Sequence, residues 1–147
     1  IVNNAAVFSG ESSLPADEEE KILRINCFFP QEIVEKLRPA SVVNILDSRI
    51  LHPRFVPKTP YEHSKAGLLA ATLRQAVALA PATRVNAVAP GPVLASPCVH
   101  EKGGEILLGR RPRPQDIASA VAFLLAAEAV TGQVLAVDSG QWLIETP

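Results

Sequence analysis

Short β-branched stretches alternate along this chain with longer segments that have helical features. The stretches that predict strands are residues 1–2, 41–46, 84–88 and 134–137. The intervals that predict helices are one that begins at Pro15 and has Pro30 inside it, and residues 61–80 and 114–127. This β-α-β-α-β-α-β order predicts an α/β fold, in which helices pack on the faces of a parallel sheet.

The predicted helices have recognisable starts and one apolar stripe. Pro15 is followed by acidic residues 17–20, and Pro114 opens the last helix; proline and negative charge both favour a helix N-terminus. In the middle helix the apolar residues at helical spacing are Leu69, Leu73, Ala76, Val77 and Ala80. We expect this stripe to face the core or a subunit interface.

Composition and charge narrow the class of protein. The 147 residues are 48% hydrophobic and carry a formal net charge of −1, which predicts a single folded domain over residues 1–147. A balanced charge disfavours binding to nucleic acid. No apolar run reaches the roughly 18 residues of a membrane span, and no basic segment leads into an apolar one, so we expect neither a membrane segment nor a signal peptide.

The cysteines and histidines give no sign of a disulfide or a metal site. Cys27 and Cys98 are far apart in the sequence, and two reduced thiols in a cytoplasmic protein are the simplest interpretation. His52, His63 and His100 lack the spacing of metal ligands. We therefore predict no metal.

Tyr61 and Lys65 share one face at the start of the middle helix, since they are four residues apart. A nearby ammonium favours the phenolate, so we expect Lys65 to lower the pKa of Tyr61 toward neutrality. Such a phenol can exchange a proton with a substrate oxygen.

Further motifs flank the predicted strands in a fixed order. They are Asn3-Asn4-Ala5-Ala6, Asn44-Ile45-Leu46-Asp47-Ser48, Pro90-Gly91-Pro92-Val93, Thr131-Gly132-Gln133 and Asp138-Ser139-Gly140. Together with Tyr61 and Lys65 they resemble the short-chain dehydrogenase/reductase family over nearly the whole chain. The resemblance implies a Rossmann-type, doubly wound parallel sheet, of which these residues would be the C-terminal portion.

The resemblance also implies a role for each motif. Tyr61 would be the general acid/base, Lys65 would lower its pKa and hold the nicotinamide ribose, and Asn26 would complete the catalytic tetrad. Residues implied to border the cofactor are Asn3, Ala5, Pro90, Gly91 and Val93. Asn3 and Asn4 could instead tie strands together, Pro90-Gly91 could be an ordinary turn, and Asn86 is expected to be structural.

Pro30 removes the hydrogen bond that the Asn26 carbonyl would accept in a regular helix. In an α-helix the Asn26 carbonyl would accept from the amide of residue 30, and proline has no N–H. We therefore predict a kink that leaves this carbonyl free to hold a water, which in the family belongs to a proton relay ending at the lysine.

The chain also departs from the family pattern. The glycine-rich turn that binds the pyrophosphate in the family does not occur before Asn3. The choice between NADP and NAD as the cofactor therefore stays open. The stretches 26–47 and 96–107 are short for the family, and Ala95 stands where threonine is common.

Two residues compete for the position that polarises the substrate. Counting back thirteen residues from Tyr61 gives Ser48, whereas counting from the end of the strand gives Asp47. We favour Asp47, because a loop absorbs an inserted residue more easily than a buried strand. Asp47 with Arg49 resembles the pteridine-reductase-like branch, which implies a pterin or dihydrofolate-type substrate and NADPH.

Two other functions remain open from the sequence. One is a generic ketone/alcohol oxidoreductase, and the other is an inactive chain that acts only in binding or assembly. We also expect a homodimer or homotetramer, since the outer side of the middle helix carries few charges and includes Leu68, Ala71 and Ala78.

Overall fold

The computed structural model describes residues 1–93 and 106–144. The predictions made for Ala95, Cys98, His100 and most of the stretch 96–107 lie outside these residues.

Four strands form one parallel sheet in chain order: β1 (Val2–Asn3), β2 (Ser41–Ile45), β3 (Arg84–Pro90) and β4 (Val134–Val137). Each pairs with the next in parallel register. The parallel sheet predicted from the alternating sequence is confirmed. Because all strands run the same way, their carboxyl ends lie at one edge.

A helical segment with an unusual middle turn joins β1 to β2. It consists of α1 (Ala16–Leu23), a π-helical turn (Arg24–Phe28) and α2 (Phe29–Leu37). In the widened turn the Phe29 amide donates to the carbonyl of Arg24, five residues earlier. The missing N–H of Pro30 is thus accommodated by a π-helical turn, a feature often found at functional sites and a common cause of kinks. The kink itself stays a prediction.

Two further helices complete the layers, α3 (Pro60–Ala78) between β2 and β3 and α4 (Pro114–Ala126) between β3 and β4. Short 3-10 turns follow β2 (Ser48–Leu51) and β4 (Gln141–Leu143). None of the helices within residues 1–93 and 106–144 is both long and apolar enough to cross a lipid bilayer.

The helices cover both faces of the sheet. On one face Val42 and Val85 pack with residues of α2 and α3, and on the other Val43 and Val88 pack with Leu124 of α4. The strands step in one direction across the sheet while α3 and α4 lie on opposite faces. The two crossovers therefore have opposite hands, although nearly all such crossovers are right-handed.

The orientation of α3 differs from the predicted one. Leu73 and Val77 of the predicted stripe are 46% and 82% exposed. The residues that face inward are Leu68, Ala71, Thr72, Gln75 and Ala76. The helix is apolar on nearly every side, so the pattern could not fix its rotation. Polar partners help to fix it instead, since Gln75 Nε2 donates to the Gln31 carbonyl 3.2 Å away.

A buried chain of hydrogen bonds links β1, β2 and α3. Asn3 Nδ2 donates to Asn44 Oδ1 over 2.7 Å, and Asn44 Nδ2 donates to Thr72 Oγ1 over 2.8 Å. Thr72 in turn donates to the carbonyl of Leu68. Asn44 and Thr72 are almost fully buried, so each of these groups depends on its partner.

Replacing Thr72 by valine should destabilise the protein by about 1–3 kcal/mol, because it leaves the buried Asn44 amide without an acceptor. Thr83 is the matched control: it is equally buried, and its hydroxyl has no hydrogen-bond partner among the described residues. Thr83→Val should be neutral or stabilising. Urea unfolding measures both, and equal losses of stability would contradict the network.

Candidate active site

The residues singled out for chemistry gather at the carboxyl edge of the sheet, where ligands bind in open α/β folds. Asp47 follows β2, whereas Tyr61 and Lys65 lie in the first turns of α3. The Phe8 ring, in the segment after β1, contacts Tyr61 edge-on with ring centroids 4.9 Å apart.

The start of α3 is fixed by a capping box, which sets the position of Tyr61. The Glu62 amide donates to Thr59 Oγ1, and Glu62 Oε2 accepts from the amides of Lys58 and Thr59. Pro60 precedes Tyr61 in the first turn, where its missing N–H costs nothing. Sequence analysis did not single out Glu62, although Thr-x-x-Glu is the pattern of a capping box.

Asp47, rather than Ser48, lies beside the tyrosine. The Tyr61 hydroxyl donates to Asp47 Oδ2 at 3.3 Å. Ser48 is 2% exposed and begins the 3-10 turn that Asp47 caps. The structure therefore brings the favoured candidate to Tyr61.

Arg49 binds the Asp47 carboxylate through both its backbone amide and its guanidinium. Asp47 Oδ1 accepts from the Arg49 amide at 3.0 Å and from Nε at 3.2 Å, and Oδ2 accepts from the terminal guanidinium nitrogen at 3.0 Å. The guanidinium also lies 3.7 Å from Glu62. The spacing Asp-x-Arg was noted in the sequence, but this bridge to α3 depends on the fold.

Lys65 is buried next to the same cluster. It is 3% exposed, its Nζ donates to the Ile45 carbonyl at 2.8 Å, and it lies 5.7 Å from the centroid of the Tyr61 ring. Burial lowers the pKa of Lys65, and the charge of Asp47 opposes that effect.

The pKa of Tyr61 is raised, which corrects the prediction that Lys65 lowers it toward neutrality. Burial of the phenol is the main cause, and the Asp47 carboxylate adds to it through charge and hydrogen bonding. The cation that opposes them is Arg49. The Lys65 ammonium lies over the Tyr61 ring and donates to the Ile45 carbonyl. Asp47, by contrast, accepts a hydrogen bond from the Tyr61 hydroxyl itself.

The Asn26 side chain connects the π-helical turn to the site. Its Oδ1 accepts from the Val7 amide, and its Nδ2 donates to the Val7 carbonyl and to Ser64 Oγ. Ser64 Oγ donates to the Tyr61 carbonyl at 2.6 Å. Asn26 thus holds the segment after β1 against the first turn of α3.

The predicted cofactor-turn residues lie at the ends of β1 and β3. The side chain of Asn3 is engaged with Asn44, which agrees with the strand-tying alternative, and Ala5 is exposed. The Gly91 amide donates to the Val137 carbonyl, and a Cβ on Gly91 would come within 2.7 Å of Asp138 Cβ. The turn after Pro90 therefore requires glycine for close packing.

Asn86 belongs to β3, and Val93 follows the turn at the end of that strand. Val93 is half-buried after the same turn. Asn86 is fully buried, donates to the Val130 carbonyl and accepts from the Gln133 amide, so its predicted structural role is confirmed.

Comparison with known proteins gives consistent matches. A family described as enoyl-(acyl carrier protein) reductase matches residues 1–141. The chain is 38% identical to 3-oxoacyl-(acyl-carrier-protein) reductase FabG of Thermotoga maritima, covering 95% of this chain and 64% of that protein. It is 32% identical to the uncharacterized short-chain type dehydrogenase/reductase y4vI of Sinorhizobium fredii, covering 100% of this chain and 30% of that protein.

Among solved structures, FolM alternative dihydrofolate reductase 1 from Brucella canis, complexed with NADP, is similar with a TM-score of 0.85 and 33% identity. The similarity covers 99% of this chain and 64% of that one. The chain thus spans less than two thirds of the length of each of these three proteins.

Replacing Asp47 by asparagine should lower the pKa of Tyr61 by about 1 unit or more, because a negative charge at the hydroxyl is removed while the side chain keeps its size. Tyr61 is the single tyrosine of the 147 residues. An absorbance titration of tyrosinate, with Tyr61→Phe as the blank, measures the pKa. An unchanged pKa would contradict the contact between Asp47 and Tyr61.

Proposed function

The chain belongs to the short-chain dehydrogenase/reductase family, and we propose that the protein reduces a carbonyl or imine carbon with NADPH, Tyr61 supplying the proton. The observation that carries this proposal is the Tyr61 hydroxyl, held 3.3 Å from Asp47 beside the buried ammonium of Lys65. A protonated phenol at the carboxyl edge of a parallel sheet is placed to act as a general acid.

The residues present fit the nicotinamide-ribose end of the cofactor. An ammonium has three N–H donors, and among the described residues Lys65 Nζ has one acceptor, the Ile45 carbonyl. Its remaining donors match the hydroxyls of a ribose. Residues that would border the nicotinamide are Asn3, Ala5, Pro90, Gly91 and Val93. When bound, the reduced nicotinamide supplies hydride to the substrate carbon.

Tyr61 supplies the other half of the reduction. At neutral pH its raised pKa keeps the phenol protonated, which is the form that a reductase needs. The Tyr61 O–H bond breaks as the proton passes to the oxygen or nitrogen of the substrate, and a phenolate is left between Asp47 and Lys65. The cationic groups nearby, Lys65 and Arg49, favour this anion.

A pterin or dihydrofolate-type molecule is the substrate that we favour. Asp47 occupies the place beside Tyr61, and a carboxylate suits a nitrogen heterocycle better than a simple ketone, since it accepts hydrogen bonds. The similarity to an alternative dihydrofolate reductase complexed with NADP supports both this substrate class and NADP over NAD.

A ketone is the second candidate substrate. The similarity to a 3-oxoacyl reductase supports it. The burial of Ser48 disfavours it, because a ketone oxygen would be polarised by a hydroxyl donor.

We also propose self-association through the outer face of α3, where Leu73 and Val77 are exposed. Leu68 and Ala71, which we had assigned to that outer face, belong to the core. Val77→Glu should therefore shift an oligomer toward monomer in light scattering, whereas Val56→Glu, at an exposed loop position, should not. A wild-type monomer at micromolar concentration would refute self-association.

Tyr61→Phe should reduce NADPH-dependent turnover of a dihydropterin by about 100-fold or more, since the ring stays and the acid is lost. The assay follows NADPH oxidation with a dihydropterin and, separately, with a diketone. Turnover by Tyr61→Phe near the wild-type rate would show that another group is the acid. A folded wild-type protein that reduces neither substrate would contradict the proposed activity.

The same assay separates the two substrate classes. Asp47→Ala should slow dihydropterin reduction by at least about 10-fold, the scale of one lost charged hydrogen bond, whereas Ser48→Ala should retain most activity. If Ser48→Ala alone loses activity and the diketone is the better substrate, the substrate is a ketone and the pterin proposal is wrong.

A further inference from the structure

We propose that Arg49 is a positioning residue whose guanidinium holds the Asp47 carboxylate against the Tyr61 hydroxyl and offsets its negative charge as the tyrosine gives up its proton. This inference rests on the proposed function, because it assigns a role to Arg49 in the proton transfer from Tyr61. In the proposed function Arg49 is only a nearby positive charge, and the inference adds that its contacts hold Asp47 in place.

The described residues occupy the hydrogen-bond acceptor sites of the Asp47 carboxylate. A carboxylate has about four acceptor sites, and the described residues give Asp47 four donors, three from Arg49 and one from Tyr61. Three of the four sites are thus used to fix the carboxylate in place. The fourth is aimed at the phenol, so Asp47 acts on Tyr61 before the transfer. When the Tyr61 proton turns to the substrate, that site becomes free to accept from an N–H of the substrate.

Arg49 joins two elements of the site. Its guanidinium contacts Asp47 in the turn after β2 and lies 3.7 Å from Glu62 at the start of α3. Glu62 in turn caps the helix that carries Tyr61. One planar cation therefore sets the distance between the acceptor and the donor of the Asp47–Tyr61 hydrogen bond.

The positive charge of Arg49 also affects the ionisation of Tyr61. When Tyr61 loses its proton, two anions face each other across 3.3 Å, and like charges at that distance oppose ionisation. Among residues 1–93 and 106–144, the charged groups around them are Arg49 and Glu62, with Lys65 on the ring side of Tyr61. The Gln141–Leu143 turn brings no titratable group. Within the described part of the chain, Arg49 is the cation in contact with the carboxylate, and its charge lowers the pKa of Tyr61.

The test is the tyrosinate absorbance titration of the protein with Arg49 replaced, with Tyr61→Phe as the blank. Arg49→Met should raise the pKa of Tyr61 by about 1 unit or more, because the charge of Asp47 is no longer offset. Arg49→Lys restores the charge and should bring the pKa back toward the wild-type value. Arg54→Met is the matched control, since Arg54 lies exposed in the same loop, and it should cause no shift.

Arg49 is 44% exposed in its side chain, so the protein should tolerate its replacement, and Arg49→Gln provides a second neutral variant. An unchanged Tyr61 pKa in folded Arg49→Met and Arg49→Gln would overturn the inference. So would an equal shift in Arg49→Met and Arg49→Lys, because it would indicate a loss of local structure rather than of charge.

The titration needs no enzymatic turnover, so it tests the role of Arg49 independently of the proposed reductase activity. If the wild-type protein reduces neither a dihydropterin nor a diketone but the Arg49 variants shift the pKa as expected, the charge relation holds and the proposed function fails. If the wild-type protein is active and the pKa does not move, the inference about Arg49 fails alone.

Discussion

The buried amide of Asn44 is the constraint on which the site depends. It lies in the middle of the sheet, where an unpaired amide would be costly, and it is satisfied by one partner in β1 and one in α3. These two bonds fix α3 relative to the strands. Since Tyr61 and Lys65 are in the first turns of α3 and Asp47 follows the strand that carries Asn44, the geometry of the candidate site follows from the same contacts.

The protonation state of Tyr61 follows from the burial and the charges around it once β2 and α3 are fixed. Burial and, after it, the Asp47 carboxylate raise the pKa of Tyr61, whereas Arg49 counteracts them. The balance keeps the proton on the tyrosine at neutral pH and leaves cations near the anion that forms when the proton leaves. This arrangement suits a reductase, in which the proton donor must start protonated.

Much of this could be predicted from the sequence, and the exceptions have physical causes. The strands were evident from β-branched runs, and Asp47 was preferred over Ser48 because the length of a buried strand is more constrained than that of a loop. The rotation of α3 was mispredicted, because Thr72 and Gln75 turn inward to form hydrogen bonds that hydrophobic periodicity cannot reveal. The direction of the Tyr61 pKa shift was mispredicted too, since it depends on which charge meets the hydroxyl in three dimensions.

The central claim is that Tyr61, under the control of Asp47, donates the proton in the reduction. The most direct measurement is the pH dependence of single-turnover NADPH oxidation with a dihydropterin, set beside the absorbance titration of Tyr61 in the same protein. We expect the alkaline decline in rate to follow the ionisation of Tyr61, and both to move to lower pH together in Asp47→Asn. An alkaline decline that stays in place while the Tyr61 titration moves would contradict it.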